Sequence, residues 1–135
     1  MKATRIITIV SSATVVVAVL AGLYLSGSPG EQRLLRLDER RVSDLLQLSY
    51  DISRYWEQSG RLPPELAALV DGQRLRRLPA DPQTELGYRY EIADMDSYRL
   101  CAEFARPSIQ TAPEDFWMHQ AGTQCFELNV EPDSR

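Results

Sequence analysis

From Ile6 to Gly30 the chain carries no charged residue, and the segment Ile6 to Leu25 (IITIVSSATVVVAVLAGLYL) is predominantly apolar throughout. Twenty residues wound as a helix span about 30 Å, the thickness of the hydrocarbon layer of a bilayer. Four hydroxyl residues interrupt the run, Thr8, Ser11, Ser12 and Thr14. A hydroxyl on a helix can donate to a carbonyl one turn back, so they do not forbid a lipid environment. A cleaved signal peptide is the competing reading. Its apolar core is normally only about 7–15 residues long, and neither Val19/Ala21 nor a cut after Ser28, just ahead of Pro29, makes a good cleavage site. The reading adopted is therefore a basic cytoplasmic head at residues 1–5, a transmembrane anchor at 6–25, a linker at 26–30 and an exported domain at 31–135.

Positive charges flank both ends of the anchor. Lys2, Arg5 and the amino terminus favour an inside N-terminus, whereas Arg33, Arg36, Arg40 and Arg41 pull the other end inward. The N-inside orientation follows from the short basic head, which is the usual start of an exported chain, and from the indifference of long C-terminal domains to charge during translocation.

Beyond the anchor the chain is acidic, with 13 basic against 19 acidic residues and a net charge of −6. Nucleic acid is a poor partner for such a domain, because displacing counterions from phosphates needs a concentrated basic face. The one basic cluster, Arg74, Arg76 and Arg77, reads as a solvated turn.

Ser26-Gly27-Ser28-Pro29-Gly30 is a run of helix breakers. From Glu31 a helical period follows, with Val42, Leu45, Leu46, Ile52 and Trp56 on one stripe and Ser49 small within it. Arg40, Arg41, Asp44, Asp51 and Arg54 occupy the rest of that helix, which should stop near Gly60. A shorter helix is expected over about residues 64–70, with Pro64 in its first turn and Leu66 and Leu69 or Val70 inward. After the turn Pro79-Ala80-Asp81-Pro82 the period changes to two. Tyr88, Tyr90 and Ile92 alternate in one strand, Tyr98, Leu100, Ala102 and Phe104 in a second, and Phe126, Leu128 and Val130 in a third. Asp94-Met95-Asp96 connects the first two, and a long loop from Arg106 to Thr123 precedes the third. The expected domain is α+β: a long amphipathic helix packed on a three-stranded antiparallel sheet, with Trp56 and Phe104 buried between them.

Cys101 and Cys125 are the only cysteines, each out of phase with the apolar residues of its own strand. If those strands are neighbours, both thiols lie on the sheet face turned away from the helix, and a disulfide between them is geometrically plausible. Closing that loop stabilises the fold by about 3.5 kcal/mol in the chain-entropy model. Two unpaired thiols remain open as an alternative. No Cys-x-x-Cys spacing is present, and two cysteines with one histidine leave a zinc set incomplete.

His119, the only histidine, sits in the aromatic loop Phe116-Trp117-Met118-His119, where packing or hydrogen bonding is its ordinary role. Asp94, Asp96 and Glu91 offer oxygens that calcium could use, but calcium takes about six to eight, and acidic hairpin tips commonly hold no ion. No Gly-rich phosphate loop, Gly-x-Ser-x-Gly elbow or His-Glu-x-x-His helix occurs. No catalytic residue, metal ligand or cofactor is assigned.

The passage Leu78-Pro79-Ala80-Asp81-Pro82 leading into Gly87-Tyr88-Arg89-Tyr90, behind an apolar helix and an amphipathic one, resembles the LP-x-DP…Y-x-Y segment of the major pseudopilins of type II secretion. The strand Tyr98-Arg99-Leu100-Cys101-Ala102-Glu103-Phe104 and the later Trp117-Met118-His119, Gly122 and Cys125-Phe126 resemble segments of uncharacterised bacterial membrane-anchored proteins. The pseudopilin Gly-Phe-Thr-Leu-x-Glu processing signal has no counterpart, the acidic C-terminal calcium loop is missing, and the breaker run interrupts the long helix of such subunits. The resemblance thus implies a pilin-like domain on an ordinary tether. It points to a single-pass protein of a bacterial inner membrane, its domain in the periplasm or outside the cell, serving as a non-enzymatic binding or structural module for other envelope proteins. The alternatives are a minor pilin-like subunit of a secretion or pilus system and a small envelope enzyme using His119.

Overall fold

The computed structural model describes residues 2–25, 29–108 and 116–130. The chain falls into two compact units, Met1–Arg33 and Leu34–Arg135. Its first element, α1 (Lys2–Leu25), is long and apolar enough to cross a membrane, and none of that apolar stretch is buried within the protein. Three of the four hydroxyls turn inward onto the helix: Thr8 donates to the Arg5 carbonyl at 3.0 Å, Ser11 to Ile7 at 2.9 Å and Thr14 to Val10 at 2.9 Å. Each of these side chains thus meets its own hydrogen-bonding need without water.

Helix α2 runs from Pro29 to Ser59. It begins two residues before the expected Glu31, because proline fits the first turn of a helix, where its missing N–H has no carbonyl to serve. The rest of the expected linker, residues 26–28, lies outside the described residues. The C-terminus falls where expected. Gly60 takes a left-handed φ of 66° and its N–H donates to the Trp56 carbonyl at 2.8 Å.

The buried stripe of α2 consists of Asp38, Arg41, Leu45, Leu48 and Ile52. It is rotated from the expected one: Leu46 is 48% exposed, Trp56 is only partly buried, and Leu48 takes the central place. Arg41, expected on the solvent side, is buried. The expected helix near residues 64–70 is a single 3-10 turn, Leu66–Leu69, in which Leu69 is buried and Val70 turns out to solvent.

Three strands, β1 (Arg89–Ile92), β2 (Ser97–Phe104) and β3 (Gly122–Asn129), form an antiparallel sheet in the order β1-β2-β3. Tyr98, Leu100, Ala102 and Phe104 of β2, with Phe126 of β3, pack with Leu45, Leu48 and Ile52 of α2 in one core, closed by Leu62, Leu69, Leu75 and Tyr88. The domain is thus α+β, a long helix packed with a three-stranded antiparallel sheet. Alternation of burial fails at Cys101, 3% exposed between Leu100 and Ala102, and at the end of β1. Ile92, at the end of an edge strand, is 50% exposed.

Candidate functional site

Where α2 enters the domain, its buried stripe changes from apolar to charged. The Arg41 guanidinium donates from Nη1 to Asp38 at 2.7 Å and from Nη2 to Asp81 and to the Gln83 side chain, both at 3.2 Å, while its Nε donates to the second Asp81 oxygen. Both acids accept further bonds beside those from Arg41. Asp38 accepts the backbone N–H groups of Ala105 and Arg106, each at 2.9 Å, beyond the end of β2. Asp81 accepts those of Gln83 and Thr84, each at 2.9 Å, inside its own turn. That turn is closed by the bridge between Ala80 and Gly87 and by the Asp81 N–H on the Leu86 carbonyl at 2.8 Å.

One guanidinium and two carboxylates therefore tie three separate segments together: the helix, the exit of the central strand and the Leu78–Pro82 passage. Burial by itself would raise the Asp81 carboxyl. The Arg41 hydrogen bonds, the Thr84 and Gln83 N–H groups and the Arg41 charge outweigh it and hold the group at about 2, below its ordinary 3.8. Hydrogen bonding to Asp81 correspondingly raises Arg41, against the opposing effect of its own burial. A turn further along, the Tyr88 hydroxyl donates to Asp44 at 2.8 Å, and burial followed by that bond pushes the phenol well above its ordinary range. Tyr90 donates to the Pro63 carbonyl at 3.0 Å and is raised by burial to about 12. These tyrosines bind as neutral donors.

Beside this cluster lies a groove of about 390 Å³ between β2 and the turn at residues 83–87, with Arg41 and Asp81 among its lining. It exists because β1 is half as long as β2. Register partners run from Arg89 opposite Cys101 to Ile92 opposite Tyr98, and no β1 residue stands opposite Ala102, Glu103 or Phe104. A second groove, of about 580 Å³, lies on the other side of the Asp81 turn, where Arg40 and Asp44 of α2 face Arg77 and Pro82.

Cys101 and Cys125 are bonded to each other and are direct register partners of β2 and β3, with Cα atoms 4.0 Å apart. Neither is a free thiol. His119 is 6% exposed, its ring stacked on Phe104 at 3.6 Å between centroids, and its backbone N–H donates to the Ser108 hydroxyl at 3.1 Å. It lines neither groove. Glu91 is engaged by Arg99 at 3.1 Å, and Asp94 accepts the N–H of Met95 at 2.8 Å, so the acidic hairpin residues serve local contacts. Among the described residues no three metal-ligating side chains converge. The expected cysteine pair is thus brought together, His119 and the hairpin acids line neither groove, and the charged cluster that converges is one the sequence left unassigned.

No family model matches this chain, and no curated protein and no solved structure matches it either.

Proposed function

We propose that the protein is a single-pass component of a bacterial inner membrane, held by α1, whose pilin-like domain stands in the periplasm or outside the cell and serves as a non-enzymatic binding or structural module for other envelope proteins. The observation that carries this reading is the pairing of a charge-free apolar helix with a domain closed by the Cys101–Cys125 disulfide. Disulfides persist in oxidising compartments, and an N-terminal anchor is how a small domain reaches one while staying at the membrane. The buried, stacked His119 and the full engagement of Asp38, Arg41 and Asp81 with one another favour binding over catalysis. Alkaline phosphatase fused after Arg135 should be active, and an inactive fusion beside an active cytoplasmic reporter would overturn the orientation. Cross-linking of the intact envelope should capture the chain with a different envelope protein.

A minor pilin-like subunit is favoured by one observation. Pro29 and Gly30, which belong to the breaker run, are helical. Mechanical shearing separates the two readings. A filament subunit leaves with sheared surface material, whereas an anchored module stays with the membrane.

A further inference from the structure

The sheet face turned away from the core is built in rows, because register partners on antiparallel strands point to the same side. One row is Arg89, Cys101 and Cys125, so the disulfide runs across from β2 to β3 with Arg89 behind it on β1. Its two sulfurs meet different surroundings. Cys101 belongs to the central strand and is 3% exposed, whereas Cys125 is exposed on β3, whose outer edge pairs with no other strand among the described residues. The groove beside β2 does reach Cys101, but Arg89 and Glu103 line it as well. Charge divides the two ends in the same sense. Cys101 has Arg89 across from it and Arg99 and Glu103 two residues to either side, with Arg99 held by Glu91 at 3.1 Å. Cys125 has only Thr123 and Glu127 in the corresponding places on its own strand.

We propose that Cys125 is the sulfur at which an external thiolate opens this disulfide, and that Cys101, beside Arg89, is the leaving thiolate. Displacement at sulfur is in line, so the nucleophile must approach from the side opposite the departing sulfur. For Cys125 that side is the open edge of β3. For Cys101 it is the place its register partner Arg89 occupies. Exchange also runs faster when the departing thiolate is the more stable one, and a neighbouring guanidinium favours the anion. In the first step the incoming sulfur bonds to Cys125 Sγ while the bond to Cys101 Sγ breaks, and its electron pair leaves on Cys101. In the second, another external thiolate attacks the incoming sulfur of that mixed disulfide and frees Cys125. With glutathione, two thiols are oxidised to one disulfide and their two protons pass to Cys101 and Cys125. This chemistry lies within the domain and is independent of the membrane reading. It makes the covalent link between β2 and β3 reversible from the sheet edge.

The test treats the full chain, folded and oxidised in detergent, with reduced glutathione, quenches in acid after partial reaction and locates the bound glutathione by peptide mass. Glutathione should lie on Cys125 in excess over Cys101 by about tenfold or more. The preference should vanish in denaturant, where both sulfurs are equally open. An even split in the folded chain would overturn the proposal. A majority on Cys101 would do the same, and would mean entry through the groove beside β2. Opening no faster than global unfolding, read in parallel from tryptophan fluorescence, would also defeat it, since the edge then gives no access. Arg89 is exposed, so its replacement leaves the core untouched. R89Q should slow formation of the Cys125 adduct about threefold, and R89K should restore it. Equal rates in R89Q and the parent would overturn the assignment of Cys101 as the favoured leaving thiolate.

Discussion

The two halves of the buried stripe on α2 are equally dry and are held by opposite means. Leu45, Leu48 and Ile52 are each 0% exposed and are stabilised by leaving water, a gain that needs no direction. Asp38 and Arg41, each 3% exposed, lose by the same burial and recover through bonds of fixed geometry. The difference teaches where each half places its specificity. An apolar residue tolerates a partner of roughly the right size, whereas Arg41 accepts only two carboxylates placed as Asp38 and Asp81 are. The charged half therefore determines how the Asp81 turn and the end of β2 meet the helix, and the apolar half supplies the bulk of the cohesion.

Breaking the charged half should have the largest effect. Arg41→Ala leaves two buried carboxylates facing each other without their cation, and loss of one partner from a buried cluster costs about 4 kcal/mol. Urea unfolding of the soluble portion within detergent-solubilised chain should show it, and a loss below that of an ordinary surface substitution would mean the cluster is wet. The disulfide comes next, and it lies outside both halves. Cys101→Ser should cost about 3.5 kcal/mol, and the double change to serine should cost no more, because either change opens the same loop. Thiol titration of the unreduced, denatured protein should find no free sulfhydryl.

Leu48→Ala should cost about 3 kcal/mol, since the residue is fully enclosed, while Leu46→Ala, half exposed, should fall within about 0.5 kcal/mol of the parent. A reversal of those two would restore the stripe expected from sequence. That contrast also marks what was legible. Strand positions and the cross-strand cysteine pairing could be read because a period of two is unambiguous over Tyr98 to Phe104, and because phase alone puts both thiols on one face. The helix was harder. Leu45 and Leu46 are adjacent, as are Leu48 and Ser49, so apolar periodicity admits two stripes, and the residues that decide between them, Asp38 and Arg41, carry charges that read as solvent-facing. Nothing local announces that Arg41 will meet Asp81, forty positions away. The one available signal was Asp81 between two prolines, a carboxylate in a rigid turn whose purpose lay elsewhere in the chain. The groove with Arg40 and Arg77 was hidden for the same reason, being made by a long-range contact between two stretches that each look like ordinary solvated charge.

The smallest effect separates the halves by pH. The Asp81 carboxyl sits at about 2 in the folded protein and at its ordinary 3.8 when unfolded. A lowered folded value means stability that is present above the unfolded value and is lost as pH falls from about 4 to about 2, the range in which the unfolded chain binds the proton and the folded carboxylate does not. The difference corresponds to about 2 kcal/mol. The apolar half holds no proton and contributes nothing to that slope. Stability of the Leu48→Ala variant should accordingly run parallel to the parent between pH 5 and pH 2, lower throughout, whereas Asp81→Asn should start lower and then converge on the parent as acid removes from the parent what the substitution has already removed. Parallel curves for Asp81→Asn would mean that the Asp81 carboxylate is not held by Arg41 in solution, and the distinction between the two halves of the stripe would fall with it.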